Sequence, residues 1–337
     1  MTLLHAGALL LAAIVGFAAH RASLCTVKAV AEVMSSGTAH MFGSFARAAL
    51  WAAAIAGVVG FIGPGTLQAP VAWSPSFSLA GGFVFGVGAA LNGGCSLSTV
   101  QRLIDGELSM LATLVGLAAG VAFGQAFIVS GGVSAQPMPA SPWMTHPPWA
   151  VLLLVGLLLW CVREAFRLLH AAVPATTIRE ILGQPTYQPA PAAALMGVAA
   201  GTLYPLQGAW TYTNFLRSEA GAWLGAVVPP SGFHALLVTS VLAGMLLSAR
   251  QRNSFHLRTA PAPVFLRAAC GGALMGIGVA LIPGGNDTLL LAAIPAFWPW
   301  ALPTYLALIG GVAVTMLAMR AVTRTTPEVR CRADGCD

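Results

Sequence analysis

Long stretches of this chain carry no charged side chain, and this scarcity limits the possible folds more than any other feature. No Asp, Glu, Lys or Arg occurs in residues 48–101, 108–162 or 220–249, and Asp287 is the only charge within residues 268–319. Each stretch exceeds the roughly 20 apolar residues that a helix needs to cross a bilayer. Only 8% of the chain is charged, whereas a soluble domain is about 25% charged. The sequence therefore predicts an all-α, polytopic membrane protein.

Two other classes of protein are excluded by the composition. Hydrophobic residues make up 57% of the chain, which is incompatible with intrinsic disorder. The net charge of +6 does not indicate nucleic-acid binding, because the basic residues lie at the ends of apolar segments and form no aromatic-interleaved patch.

The loop charges predict an orientation. Basic residues form four groups, which the positive-inside rule makes cytoplasmic. No Lys or Arg precedes the first apolar run, residues 3–19, so we expect a transmembrane helix there and not a signal peptide. The amino terminus is then outside and the carboxyl terminus cytoplasmic, and the pair Arg217 and Glu219 is an exception that falls outside. The four groups are Arg21, Lys28 and Arg47; Arg163, Arg167 and Arg179; Arg250, Arg252, Arg258 and Arg267; and Arg320, Arg324, Arg330 and Arg332.

The apolar segments fall into long and short classes. Full-length spans are predicted near residues 3–20, 45–62, 108–129, 149–170, 233–249 and 300–320. Shorter pieces, interrupted by Gly or Pro and each predicted to be too short to span alone, are residues 22–35, 78–93, 95–104, 191–204, 206–217, 266–282 and 286–294. Counting joined pieces as one crossing predicts about nine crossings, with short broken or re-entrant helices among them.

Two glycine-rich segments resemble each other, GGFVFGVGAALNGGCS at residues 81–96 and GGALMGIGVALIPGGND at residues 271–287. The predicted orientation has the first copy entering from outside and the second from inside, which makes the repeats inverted. Gly-x-x-x-Gly spacing also packs helices closely, and we expect both roles. Inverted repeats with interrupted helices indicate a transport site near the middle of the membrane. With one inserted residue, the segment Gly93, Gly94 and Cys95 aligns with Gly284, Gly285 and Asn286.

These assignments predict one integral membrane domain, residues 1–337. The first repeat is residues 1–129, and the second, inverted repeat is residues 186–322. Residues 130–185 supply an outer loop, a span and an inner loop between them, and residues 323–337 form a cytoplasmic tail.

The helix breaks are the predicted functional positions. A helix that begins inside the membrane presents free N–H groups and a partial positive charge, so two facing helix starts can bind an anion without a buried Arg. Cys95 and Ser96 lie at the first break, and Cys25 lies near the start of another short helix. A thiol is a weak, polarizable donor that suits a sulfur atom of a substrate. Packing is the alternative role for each of these cysteines.

Asp287 is an ionisable residue predicted inside the membrane, which by default marks a functional position. It either caps the short helix that follows, or carries a proton or binds a cation. Asn286 can donate to an anion or cap the same helix. Arg21 is expected to snorkel toward the interface, with attraction of an anion at the inner mouth as the alternative.

The remaining cysteines carry weaker signals. Cys161 and Cys270 lie in unbroken apolar helices, where packing is the expected role. Cys331 and Cys336 lie in the polar tail with no His nearby, so they are poor zinc ligands and either form a redox pair or have no function, the second being favoured. No metal site and no disulfide framework are predicted.

At these residues the chain resembles the YeeE/YedE family of sulfur-compound transporters, which includes bacterial thiosulfate uptake proteins. The matching segments are RASLC at residues 21–25, GFVFGVGAALNGGCSLSTVQRL at residues 82–103 and GGALMGIGVALIPGGND at residues 271–287. The resemblance implies inverted repeats whose short helices meet at a central pathway in the bacterial cytoplasmic (inner) membrane. It also implies that thiosulfate passes between pathway cysteines by hydrogen bonding to sulfur, without a cofactor, and that Cys25 and Cys95 take two of those roles.

The chain departs from the thiosulfate pattern in its second half, where a third pathway cysteine is expected and Asn286 and Asp287 follow the glycines. The substrate is therefore open among thiosulfate, sulfite, another sulfur oxyanion and a sulfane-sulfur species. Transport of such an anion is the leading hypothesis. The alternative is a membrane sulfur relay or sensor that serves a cytosolic sulfur carrier or regulator. A sulfurtransferase with Cys95 as nucleophile is the weakest, because no His or carboxylate accompanies this cysteine in the sequence.

Overall fold

The computed structural model describes residues 3–63, 67, 74–133, 139–172, 188–225, 230–282, 284–323, 331–332 and 335–336, and most of these are helical. A π-helical turn, Leu289–Ala293, continues the short helix Asn286–Thr288. Cys331–Arg332 and Gly335–Cys336 pair as two antiparallel strands, β1 and β2. The helices are α1 (Leu3–Ala22), α2 (Thr26–Ser36), α3 (His40–Ile62), α4 (Pro75–Asn92), α5 (Ser96–Ile104), α6 (Ser109–Ser130), α7 (Pro142–Thr145), α8 (Pro148–Ala172), α9 (Pro189–Gln207), α10 (Tyr212–Trp223), α11 (Gly232–Arg252), α12 (Ala262–Leu281), α13 (Asn286–Thr288) and α14 (Ala301–Thr323).

The predicted class, an all-α polytopic membrane protein, is confirmed. Among the described residues, eight helical segments are long and apolar enough to cross a bilayer. Two of them join a long helix to a short one, Leu3–Ser36 and Pro75–Ile104. The count of nine is not confirmed, because α9 has 19 residues but is not among the eight. The prediction that residues 266–282 are too short to span alone is wrong, since α12 begins at Ala262 and reaches 20 residues.

Four helix breaks share one backbone feature, a residue with positive φ before the short helix. The residues are Ser23 between α1 and α2, Gly93 between α4 and α5, Gly208 between α9 and α10, and Gly284 between α12 and α13. Three of the four are glycine, which adopts this left-handed conformation without a Cβ clash. The same order of long and short helices, from α1 to α6, recurs from α9 to α14.

Glycines bring the long helices into backbone contact. A Cβ atom on Gly88 of α4 would lie 2.5 Å from the Gly271 oxygen of α12, and one on Gly278 would lie 2.7 Å from the Gly81 oxygen. In the same way, Gly82 packs on α14 and Gly272 packs on α6. The glycines that align between the two glycine-rich segments therefore have equivalent neighbours. Small residues allow such close approach of helices in a membrane, where the hydrophobic effect does not drive helix association.

Three side chains lie where the sequence did not predict. Arg21 does not snorkel, because it is 1% exposed and donates from Nε to Ser248 Oγ at 3.0 Å. Arg217 is buried on α10 and is not in an outer loop. Cys270 does not pack inside the protein, because its side chain on α12 is exposed, whereas Cys161 is buried as expected.

We expect Gly88→Val to destabilise the protein by about 1–3 kcal/mol or more, because the added atoms force α4 and α12 apart. Gly156→Val is the matched control, since a Cβ atom there meets nothing within 4 Å. Thermal unfolding of the purified protein in detergent measures both variants. Equal melting temperatures for the two would show that the glycine contact does not hold these helices together.

Candidate functional site

The four short helices begin at one buried site. Cys25, Cys95, Thr211 and Gly285 stand at the N-caps of α2, α5, α10 and α13. None of these N-caps uses its side chain to cap its own helix. The side chains of the four helix starts instead form hydrogen bonds to one another. Partially positive helix ends are thereby collected at one place, which is an arrangement that attracts anions.

Two free thiols lie next to each other on one side of this site. Cys25 is 2% exposed and Cys95 is 0% exposed, and their side chains lie close enough to interact. The Cys25 thiol also donates to Ser98 Oγ at 3.3 Å. Both thiols therefore lie at the helix starts within the buried core of the protein.

Asn286 links three of the helices. Its Oδ1 accepts from Ser96 Oγ at 2.5 Å, and its Nδ2 donates to Thr26 Oγ1 at 3.2 Å. The Thr26 hydroxyl also contacts the Tyr305 hydroxyl of α14 at 3.4 Å. The amide is therefore engaged across the site and does not cap α13.

Asp287 occupies the opposite side of the site. Its Oδ1 accepts from Thr213 Oγ1 at 2.5 Å, and Thr213 in turn accepts from the Gly285 N–H at 2.9 Å. The backbone N–H groups of Thr213 and Thr288 also lie close enough to the carboxylate to stabilise its ionised form. Of the two roles left open for Asp287, the N-cap is wrong, because Gly285 holds that position. Asp287 lies in the first turn, where a carboxylate still interacts favourably with the helix end.

The glycines at the two breaks have no room for a side chain. Gly93 and Gly284 have φ values of 73° and 109°. A Cβ atom on Gly94 would lie 2.5 Å from Ser98 Oγ, and one on Gly285 would lie 2.9 Å from Asp287 Oδ1. Glycine therefore permits both the turn and the close approach of backbone to these polar groups.

The structure brings the predicted residues of α2, α5 and α13 together, namely Cys25, Gly93, Gly94, Cys95, Ser96, Gly284, Gly285, Asn286 and Asp287. Sequence reasoning missed the contribution of α10, which supplies Thr211, Tyr212 and Thr213. The signal was available, because residues 206–217 were already recognised as a broken apolar piece. Thr26 and Ser98 were missed because their partners are distant in sequence.

A cavity adjoins the Asp287 side of the site. Trp210, Thr211, Tyr212 and Asp287 are among its lining residues, but the surface that they and their neighbours present to it is almost entirely apolar. The cavity has about 410 Å³ of empty space, part of it open to the surroundings. The Trp210 Nε1 and Tyr212 hydroxyl are buried without a hydrogen-bond partner, although Ser96 lies near the hydroxyl. Buried donors of this kind are costly when unpaired, so they favour a polar ligand or water. Within the described part of the chain, no three His, Cys, Asp or Glu residues lie close enough to hold a metal ion.

Charged residues gather at the other end of α5, away from the thiols. Asp105 Oδ1 accepts from Ser254 Oγ at 2.5 Å and lies 3.2 Å from His20 Nε2. The backbone of this turn also pairs with the loop after α11, through the Arg258 N–H to the Gly106 oxygen at 2.8 Å. Burial raises the pKa of Asp105, but the hydrogen bonds from His20 and Ser254 lower that pKa below its ordinary value. Through these contacts, the end of α5 is held to His20 of α1 and to Ser254, which follows α11.

Comparisons with known proteins agree on one class. A family model described as "Sulphur transport" matches residues 21–314, a range that contains all four helix breaks. The thiosulfate transporter TsuA of Escherichia coli (strain K12) is 28% identical over 242 residues, which cover 64% of this chain and 67% of the relative.

We expect Asp105→Asn to destabilise the protein by about 1 kcal/mol at neutral pH, because the lowered pKa means that folding favours the ionised carboxylate. This contribution is present above the ordinary Asp pKa of about 4 and is lost as the pH falls through the lower folded value. The difference in melting temperature between wild type and variant should therefore narrow in acid. A difference that is independent of pH would contradict the ionic role, and Glu219→Gln is the control.

Proposed function

Because the chain belongs to the sulphur transport family, we propose that it moves a small sulfur-containing anion, thiosulfate-like or sulfite-like, through the site where the four short helices begin. The observation that carries this proposal is the pair of buried free thiols beside converging helix starts. The chain is accordingly a transporter and not an enzyme.

Anion binding at this site relies on backbone dipoles. Helix starts provide N–H donors and a partial positive charge, and they do so without the strong fixed charge of a buried Arg or Lys. An anion held in this way is attracted but can also leave, which transport requires. None of the four salt bridges found among the described residues involves a residue at the helix starts.

The thiols account for a preference for sulfur. Each is a weak S–H donor with a polarizable sulfur atom, so it matches the terminal sulfur of a thiosulfate-like anion better than the oxygens of a strongly hydrated ion. Because Cys25 and Cys95 are adjacent, an anion can pass from one thiol to the other in a short step. No cofactor takes part in this pathway.

The repeats of this transporter are proposed to be inverted, with residues 1–129 and 186–322 related by a two-fold axis in the membrane plane. In support, Gly81 meets Gly278 while Gly88 meets Gly271. If Gly81 corresponds to Gly271, these reciprocal contacts are those of a self-complementary two-fold interface. Residues 130–185 then connect the repeats, and residues 323–337 form the tail. Such repeats support alternating access around a fixed site.

A sulfur relay is the second candidate, favoured by the same contact between Cys25 and Cys95. A relay would transfer the outer sulfur of thiosulfate to one thiolate as a persulfide, breaking the S–S bond of thiosulfate and releasing sulfite, whereas a transporter would release the anion unchanged. Mass spectrometry of the protein after exposure to thiosulfate separates the two. A cytosolic sulfur carrier is the partner expected of a relay and a possible acceptor after import.

We expect Cys95→Ala and Cys25→Ala each to reduce uptake of radiolabelled thiosulfate into proteoliposomes at least about tenfold, which corresponds to the loss of about 1.4 kcal/mol of transition-state binding. The reason is that the substrate loses its sulfur-matched donor at a helix start. Cys270→Ala is the matched control, because this thiol is exposed on α12. Normal thiosulfate and sulfite flux in both site variants would eliminate the cysteine pathway.

We place the protein in the bacterial inner membrane with the amino terminus outside and the carboxyl terminus cytoplasmic. An alkaline phosphatase fused after Gly131 should be active, and one fused after Thr323 should be inactive. A fluorescent-protein fusion after Thr323 should fluoresce, which controls for expression. The opposite pattern would reverse the orientation and with it the assignment of the basic groups.

A further inference from the structure

We propose that Asp287 is a proton-controlled gate, whose ionised carboxylate occupies the anion-binding donors of α10 and α13 and whose protonation releases them to the transported anion. Anion and proton then move together. The proposal rests on the proposed function, because it concerns how a sulfur-containing anion reaches the helix starts of α10 and α13 in the same site.

The carboxylate of Asp287 lies where the anionic substrate would bind. The carboxylate of Asp287 accepts from the Thr213 hydroxyl and lies against the backbone N–H groups at the starts of both α10 and α13. These are the groups that a helix start would otherwise offer to a ligand. On the other side of the site, the corresponding position two residues after the N-cap of α5 is Leu97, which cannot compete for an anion. The carboxylate of Asp287 thus occupies the helix starts of α10 and α13, whereas no acidic side chain occupies the start of α5.

A second anion cannot share these donors with an ionised carboxylate. Asp287 is 5% exposed, and no Lys, Arg or His among the described residues forms a salt bridge with it. Its negative charge is therefore neutralised only by the dipoles that an anionic substrate also needs, and like charges at such close range in a dry site repel strongly. Protonation removes that repulsion and weakens the hold of the N–H groups on the side chain.

Few titratable groups face Asp287. Helices α3, α5, α9, α10 and α14 pack against α13 or its π-helical turn. On α10 the titratable neighbour is Tyr212, which lies near Asp287 and also near Cys95, the N-cap of α5. Tyr305 of α14 faces Thr26 and the cysteines, and Tyr204 of α9 packs on Trp298. The charged residues of these helices are elsewhere: Arg47 pairs with Glu164, Arg102 pairs with Glu107, and Arg217, Glu219 and Arg320 occupy positions at least one turn from the helix starts.

The adjoining cavity gives the released side chain somewhere to go. It is lined by Asp287 together with Trp210 and Tyr212, whose buried N–H and O–H groups have no hydrogen-bond partner. After small side-chain movements, these two groups can donate to the rotated carboxyl group or to an oxygen of the incoming anion. The surface that faces the cavity is almost entirely apolar, which suits the uncharged form of the carboxyl.

The cycle balances without any electron transfer. A proton from water on the entry side adds to a carboxylate oxygen, and the helix-start N–H groups become free for the anion. After the anion leaves on the other side, the carboxylic acid gives its proton to water there and the carboxylate returns to the N–H groups. One proton is thus carried with each anion.

The test is the pH dependence of thiosulfate flux in proteoliposomes between about pH 6 and about pH 8. Thiosulfate is the anion of a strong acid and stays fully ionised there, so a pH dependence must come from the protein. Wild-type uptake should rise at least about fivefold over this range as the pH falls. Asp287→Asn mimics the protonated form, so its uptake should be independent of pH and at least equal to wild type at the higher pH. Asp287→Glu should keep the dependence. Wild-type pH dependence in Asp287→Asn would overturn the proposal.

Thr213→Val gives a second measurement that does not alter the carboxyl itself. Without the Thr213 hydroxyl, the ionised form loses a donor, so the pH of half-maximal flux should move upward by about one unit. Thr202→Val on α9 is the control, since its hydroxyl donates only to the Val198 oxygen of its own helix. An unchanged midpoint in Thr213→Val would contradict the gate.

A proton-sensitive dye inside the liposomes completes the test. Thiosulfate entry should acidify the lumen of wild-type liposomes and leave that of Asp287→Asn liposomes unchanged. Thiosulfate flux without acidification in wild type would refute proton coupling while leaving the transport function intact. Absence of both thiosulfate and sulfite flux in wild type would instead refute the proposed function, and the gate with it.

Discussion

A helix that starts inside a membrane leaves backbone N–H groups without partners, and the rest of this structure is arranged around that constraint. Lipid cannot satisfy these groups, so such breaks persist only where protein or a polar cavity surrounds them. Four breaks are gathered at one site here, and side chains such as Ser96, Asn286 and Thr213 connect one helix start to another. The long helices pack through glycine because four short helices have to be enclosed at close range. Enclosure and anion attraction therefore come from the same unpaired groups.

Much of the fold could be predicted from the sequence, because the signals involved are local. The charge-free runs located the spans, and the Gly-Gly breaks located the starts of α5 and α13. The family resemblance, which rested on the residues around Cys25, Cys95 and Asn286, is confirmed. What failed depended on contacts across the chain. Arg21 looked like a snorkelling residue because its partners, Ser248 and Gln251, lie more than two hundred positions away.

The start of α10 shows the same limit at the site itself. Its break has a single glycine, Gly208, and no cysteine, so the residues around Thr213 resembled an ordinary helix end. Only the packing of α10 on α13 gives Thr213 its partner. The repeat alignment of Cys95 with Asn286 was likewise incomplete, because N-cap geometry matches Cys95 with Gly285 and leaves Asn286 opposite Ser96. A residue's role at a helix start depends on its position relative to the N-cap, and a single-residue shift changes that role.

Two buried carboxylates, Glu32 and Asp287, both interact with backbone N–H groups at helix starts, but their roles differ. Glu32 accepts the backbone N–H groups of His40 and Met41 at 2.8 and 3.0 Å and so caps α3, with a further bond from the Thr38 hydroxyl. That contact joins α2 to the helix that follows it directly, and neither partner belongs to the site. Asp287 uses equivalent donors, but they belong to two helix starts that face the thiols and an adjoining cavity. A carboxylate at a helix start is therefore structural or functional according to whether a mobile anion can compete for its N–H groups.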